Sequence, residues 1–129
     1  MTDRDRDRLL HETLGRWFGF SSLRPLQKEA IDAALDGRDA LVVLPTGGGK
    51  SLCYQLPPLV TERLTVVVSP LIALMKDQVD GLRLHGVPAA AAHSNLDAAG
   101  RQALRELSES KALRILFVAP ERLFREDFL

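Results

Sequence analysis

The sequence LPTGGGKS at residues 44–51 places three consecutive glycines before a lysine and a serine, directly after an apolar run. Glycine has no Cβ and tolerates positive φ, so the backbone N–H groups of such a loop can converge on a phosphate. Lys50 would reach the β- and γ-phosphates of a nucleotide, and Ser51 would offer its hydroxyl to Mg²⁺. The pattern predicts a phosphate-binding loop with Lys50 and Ser51 as catalytic candidates; the full set is Thr46, Gly47, Gly48, Gly49, Lys50 and Ser51.

One position departs from the general phosphate-loop pattern G-x-x-x-x-G-K-[ST]. That pattern begins with a glycine, and this chain has Leu44 there. The alternative interpretation is a glycine-rich turn that only joins a strand to a helix. The order of strand, glycines, Lys-Ser and helix favours phosphate binding.

The segments around the loop alternate between strand and helix patterns. Four short apolar runs predict strands, and the alanine run is the weakest of them: 40–43, 65–68, 89–92 and 115–118. The other three runs are rich in β-branched residues without alternation, which is typical of strands buried on both faces. Strands separated by helices with short connections predict an α/β fold with a parallel sheet covered by helices.

Helical periodicity appears in three places, and a further helix is expected to begin near Lys50. A first helix opens at Pro25, and a second follows Ser69-Pro70 as N-cap and N1. Ser94 or Asn95 is a candidate cap for a third helix through Leu107. The alternating charges of TDRDRDR at 2–8 predict a solvated helix start or a frayed end. The apolar faces are expected to be Leu26, Ala30, Ala33 and Ala34 in the first helix, and Leu71, Leu74, Met75, Val79 and Leu82 in the second.

Composition limits the class of protein. The chain has 129 residues, of which 46% are hydrophobic and 26% charged, which suits one globular domain. Seventeen basic residues balance seventeen acidic ones, so local clusters must hold any anionic partner. The single Cys53 excludes an internal disulfide, and no apolar run is long enough to span a bilayer. We therefore expect no membrane partner and a cytoplasmic location.

Several motifs resemble those of one helicase family. PTGGGKS, continued by LCYQLPPL, resembles motif I of superfamily 2 helicases, and FGFSSLRPLQKEAI at 18–31 resembles the adenine-reading motif of the RecQ family. VVSPLIALMKDQV at 67–79 is similar to motif Ia, and FVAPERL at 117–123 is similar to motif Ib. The resemblance implies the N-terminal part of a RecA-like, P-loop NTPase motor domain that stops before the Walker B strand. Residues 1–16 would be an N-terminal extension, and 17–129 would carry the motifs.

The resemblance implies an adenine site upstream of the loop. The family has an aromatic residue, an arginine and a glutamine at the positions of Phe20, Arg24 and Gln27. A glutamine amide offers a donor and an acceptor to the N6 and N7 edge of adenine, while Phe20 or Arg24 would stack on the base. ATP and Mg²⁺ are the implied cofactors. The alternatives are an exposed helical Gln27, a core Phe20 and a surface Arg24.

Motifs Ia and Ib imply contacts to the backbone of single-stranded DNA. The candidates are Ser69, Lys76, Gln78 and Ser94. Hydroxyl, ammonium and amide groups can donate to phosphate oxygens without reading sequence. Helix capping by Ser69 and Ser94 and an ordinary solvated Lys76 are the alternatives.

The resemblance implies an ATP-dependent DNA helicase that unwinds duplex DNA with 3′-to-5′ polarity in repair and recombination, in the bacterial cytosol or nucleoid. It does not identify any protein partners, which stay unknown. Such a motor also uses an Asp-Glu pair, and the 129 residues contain no Asp-Glu dipeptide. We therefore expect this segment at most to bind ATP and DNA, with 40–44 lacking its neighbouring strands. The alternatives are a regulatory nucleotide-binding fragment, another superfamily 2 helicase and a P-loop small-molecule kinase.

Overall fold

The computed structural model describes residues 2–44, 49–92 and 98–121. The chain divides into two compact units, Met1–Arg63 and Leu64–Leu129. The first unit contains three helices, which are α1 (Asp3–Phe18), α2 (Pro25–Leu35) and α3 (Leu52–Thr61). The second unit contains β1 (Thr65–Val68), α4 (Ile72–Leu84), β2 (Ala89–Ala92), α5 (Ala98–Glu109) and β3 (Ile115–Val118).

The charged N-terminal residues form the start of α1. The Thr2 hydroxyl accepts a hydrogen bond from the Asp5 N–H at 3.1 Å, and the Asp5 carboxylate accepts one from the Thr2 N–H. This reciprocal capping satisfies N–H groups that have no partner inside the helix. The helix is capped at its C-terminus by Gly19, which has a φ of 72° and donates its N–H to the Gly15 carbonyl. The prediction of a solvated helix start is confirmed.

Apolar and ionic contacts join the helices of the first unit. The fully buried core consists of Leu10, Leu14, Ile31 and Leu56. At the surface, Arg6 lies 2.7 Å from Asp36, and Lys28 bridges Asp7 and Asp32. The core packs α1 and α2 against α3, the helix that directly follows the predicted phosphate loop.

The second unit contains a parallel sheet in the order β1-β3-β2. Thr65 and Ala89 both align with Ile115 in register, so β3 is the central strand. Helix α4 contributes buried Met75, Val79 and Leu82, and Arg83 Nε donates to the Ala89 carbonyl at 3.0 Å. The predicted strands at 65–68, 89–92 and 115–118 and the parallel sheet are confirmed.

Two expectations about the strands are wrong. Residues 40–44 form no strand: Leu41 is 93% exposed and Val43 is 81% exposed. No strand pairs with this segment among the described residues, and an extended segment becomes a strand only when a neighbour accepts its hydrogen bonds. In β1, Val66 and Val68 are about half exposed while Thr65 and Val67 are partly buried, so this strand is covered on one face rather than on two.

The helix boundaries and buried faces also differ in part from the sequence predictions. Helix α4 begins at Ile72, because the Ser69 hydroxyl accepts the Leu71 N–H in a turn instead of capping a helix at Pro70. Leu26, Ala34, Leu71 and Leu74 are exposed, while the buried face of α2 is Gln27, Ala30, Ile31 and Ala33. The helix expected near Lys50 begins at Leu52, after a turn. The caps predicted at 94 and 95 lie outside the described residues, and α5 begins at Ala98.

Candidate nucleotide site

A cleft of about 470 Å³ lies in the first unit, between the segment that follows α1 and the start of α3. Its volume is within the usual range for a small-molecule site. The lining includes Phe18, Phe20, Arg24, Gln27, Gly49 and Ser51. The structure therefore brings the three predicted adenine-site residues together with two residues of the predicted phosphate loop.

Gln27 is the buried polar residue of this cleft. It occupies the first turn of α2 and is 4% exposed, so its interpretation as an exposed helical residue is wrong. Its Oε1 accepts the Arg24 N–H at 2.9 Å, and its Nε2 donates to the Gly49 carbonyl at 3.0 Å. A glutamine amide carries two N–H groups and two acceptor sites. These two hydrogen bonds use one of each, which leaves one donor and one acceptor for a ligand.

Gly49 fits against the Gln27 amide. Its φ of 80° belongs to the left-handed region, which glycine adopts without strain. A Cβ at this position would overlap Gln27 Nε2. Glycine is thus required here both for backbone conformation and for the approach of the glutamine.

Phe20 and Arg24 form the open side of the cleft. Phe20 is 53% exposed, so its interpretation as a core residue is wrong. Arg24 precedes Pro25, and its backbone N–H donates to Gln27 Oε1. An exposed aromatic face beside a buried amide is an arrangement that can accept a planar base.

Ser51 and Lys50 lie at the start of α3 with different surroundings. Ser51 is the N-cap, and its side chain makes no capping hydrogen bond, so its hydroxyl is not used to close the helix. Lys50 is exposed and lines a neighbouring cleft of about 360 Å³ with Arg38, Cys53 and Tyr54. The predicted loop residues Thr46, Gly47 and Gly48 lie outside the described residues.

The sequence reasoning did not name five further lining residues as site candidates: Phe18, Ser21, Ser22, Leu52 and Gln55. Phe18 ends α1 two residues before Phe20, and Gln55 follows Ser51 by four residues on α3. An i, i+4 spacing places side chains on one helix face, so the position of Gln55 was available as a signal.

Burial raises the pKa of the nearby Cys53 thiol, which therefore stays neutral at ordinary pH.

The predicted DNA-contacting residues belong to the second unit. Ser69 directly follows β1, at the carboxyl edge of the sheet, and its N–H donates to the Val118 carbonyl at 3.0 Å. Lys76 is exposed and Gln78 is partly buried on α4, the helix that starts at this edge. Ser94 lies outside the described residues. In the part of the chain that the structure describes, no cluster of His, Cys, Asp and Glu side chains is suited to hold a metal ion.

Residues 24–128 match the DEAD/DEAH box helicase family. Because this match covers most of the sequence, the chain belongs to the DEAD/DEAH box helicase family.

Two curated relatives of high identity are named RecQ helicases. The chain is 52% identical over 118 residues to an ATP-dependent DNA helicase RecQ of Synechocystis sp., which covers 91% of this chain and 24% of the relative. It is 48% identical over 111 residues to the RecQ helicase of Haemophilus influenzae, covering 86% of this chain and 18% of that protein. These matches confirm the resemblance to the RecQ family, and the chain spans a quarter or less of both relatives.

A solved structure shares the fold. The crystal structure of the DUF1998 helicase MrfA bound to DNA superimposes with a TM-score of 0.69 and 26% identity, covering 91% of this chain and 17% of that one. The predicted α/β motor fold is confirmed.

Among residues 2–44, 49–92 and 98–121, no helix combines the length and the apolar character needed to cross a membrane.

Proposed function

We propose that the cleft beside Gln27 binds the adenine of ATP. The remaining donor and acceptor of the Gln27 amide match the N6 and N7 edge of adenine, and Phe20 offers a face for stacking. Guanine presents an acceptor where adenine presents the N6 amino group. The site therefore selects ATP over GTP.

The phosphates bind where α3 begins. Gly49, Lys50 and Ser51 follow one another there, and the helix N-terminus adds a partial positive charge. Lys50 contacts the β- and γ-phosphates, and the Ser51 hydroxyl, which is not used in capping, is the ligand offered to Mg²⁺. The ion would neutralise charge on the phosphates during hydrolysis. Thr46, Gly47 and Gly48 complete the proposed loop.

The carboxyl edge of the second unit binds a DNA strand. Ser69 lies at that edge, and Lys76 is about 6 Å along α4 from its first residue at a rise of 1.5 Å per residue. The N-terminus of α4 presents backbone N–H groups to the same edge, which suits phosphate oxygens. Gln78 and Ser94 are the further proposed contacts.

The protein to which these residues belong is accordingly an ATP-dependent DNA helicase of the RecQ type, acting on single-stranded and duplex DNA with 3′-to-5′ polarity in repair and recombination. A location in the bacterial cytosol or nucleoid is part of the proposal. The observation that carries it is the convergence of Phe20, Arg24 and Gln27 with Gly49 and Ser51 in one cleft. The high identity to relatives named RecQ supports the choice of substrate.

ATP hydrolysis by the full-length protein tests the proposal. We expect phosphate release to be stimulated by single-stranded DNA and to fall to background in Lys50→Ala, because the γ-phosphate loses its cation. Hydrolysis that is insensitive to DNA would contradict the helicase assignment. Hydrolysis that survives in Lys50→Ala would contradict the phosphate site.

The salt dependence of DNA binding tests the proposed edge. Removing one phosphate contact should lower the slope of log affinity against log salt by about 0.7 for a single strand, and we expect this for Lys76→Ala. Lys111→Ala is the matched control, because Lys111 precedes β3 and belongs to the opposite, amino edge of the sheet. Equal slopes for both variants and the unmodified protein would place the DNA elsewhere.

A further inference from the structure

Gln27 connects two parts of the first unit without any ligand. One atom of its amide accepts the Arg24 N–H at the start of α2, and the other donates to the carbonyl of Gly49, directly before Lys50. Residues 27 and 49 are 22 positions apart in sequence. The amide is therefore a tertiary link between helix α2 and the segment that enters α3.

Gln27 is buried and packs closely against Gly49. Gln27 is 4% exposed, so water does not readily replace a lost partner, and an unpaired amide there would be unfavourable. Gly49 has no Cβ, and the end of the Gln27 side chain fills the space that a Cβ would occupy. The Gly49 carbonyl is thus held at one orientation by a buried donor.

We propose that Gln27 is a positioning residue for the phosphate-binding segment Gly49–Ser51, acting through the Gly49 carbonyl whether or not a base is bound. This rests on the proposed function of the same cleft. The amide has one donor and one acceptor left over, so it can read adenine and hold the segment at the same time. If Gln27 only read the base, its substitution would weaken the binding of ligands that carry a base and leave the binding of ligands without a base unchanged.

Binding of magnesium tripolyphosphate, which has no base, separates the two roles. Gln27→Glu keeps the acceptor for the Arg24 N–H but replaces the donor with an oxygen that faces the Gly49 carbonyl. Gln27→Ala removes both hydrogen bonds without adding charge. By calorimetry on the full-length protein, we expect each variant to bind tripolyphosphate about 3- to 10-fold more weakly, the ratio for one ordinary hydrogen bond.

Gln55→Glu is the charge control, since Gln55 lines the same cleft from α3. It measures the loss that a negative charge near the phosphates causes by itself, and Gln27→Glu should exceed it. Thermal melting identifies a temperature at which every variant is folded, and binding is measured at that temperature. If Gln27→Ala does not fold, the tripolyphosphate affinity of Gln27→Glu alone tests the proposal.

The outcomes separate this proposal from the function on which it rests. Tripolyphosphate affinities of both Gln27 variants within twofold of the unmodified protein, with ATP preference over GTP lost, would overturn the positioning role and keep the adenine role. Failure of the unmodified protein to bind either ATP or tripolyphosphate would overturn the proposed function as well.

Discussion

Replacing Phe20 with alanine should weaken ATP binding at a small cost to the stability of the fold. Phe20 is 53% exposed, so about half of its side chain is buried without ligand. Full burial of such a side chain is worth about 1.5–3 kcal/mol, which puts the expected loss of folding stability near 1 kcal/mol. Stacking of a base on an aromatic ring is worth about 1–3 kcal/mol, so the dissociation constant for ATP should rise about 5- to 150-fold.

Leu26→Ala provides a matched control. Leu26 is 51% exposed, close to the value for Phe20, and it is not among the residues that line the cleft. Its truncation should therefore cost about the same stability and leave ATP binding unchanged. Isothermal calorimetry with ATP and urea denaturation of both variants give the two quantities. Equal ATP affinities for Phe20→Ala and Leu26→Ala would refute the stacking role.

Three further predictions concern the scaffold of the first unit. Leu56→Ala, in the fully buried core, should lose about 2–5 kcal/mol in urea denaturation, and a loss below 1 kcal/mol would contradict the described packing. Hydrogen bonds from Arg6, the larger cause, and from Arg38 lower the pKa of the Asp36 carboxyl below its ordinary value of 3.8. These hydrogen bonds therefore stabilise the fold fully above pH 3.8, and their contribution is lost as pH falls through the lowered pKa of the folded protein. Asp36→Asn should therefore flatten the acid limb of the melting profile, whereas an unchanged limb would show that the pairs are inert. Cys53, whose thiol pKa is raised by burial, should react with iodoacetamide at pH 8 more slowly in the folded protein than in urea; equal rates would contradict its burial.

A further prediction concerns turnover by the 129-residue segment alone. It should release phosphate from ATP at background rate, because its sequence contains no Asp-Glu dipeptide to orient the attacking water. DNA-dependent hydrolysis that Lys50→Ala abolishes in this segment would reveal a self-contained ATPase.

Local sequence signals predicted much of the second unit. The β-branched runs at 65–68 and 115–118 and the alanine run at 89–92 are strands, as their short length, apolar composition and neighbouring helical segments indicated. Pro25 likewise marks the first residue of α2. In these cases the information that decides the structure lies within a few residues of the element.

Features that depend on distant partners were not predictable in the same way. Residues 40–43 have the composition of a buried strand, but pairing requires neighbours that the described residues do not provide. Leu26 and Leu71 have helical spacing and are nevertheless exposed, because burial depends on which element covers a face. The contact between Gln27 and Gly49 spans 22 positions, and only the fold shows that one amide serves both segments.

The most direct test of the central claim is the relative affinity of the full-length protein for ATP and GTP. The free donor and acceptor of Gln27 match adenine, so we expect ATP to bind about 5- to 150-fold more tightly, the ratio for about 1–3 kcal/mol of discrimination by one bidentate contact. Equal affinities for the two nucleotides, measured by calorimetry in the same magnesium buffer, would contradict the assignment of this cleft as an adenine site.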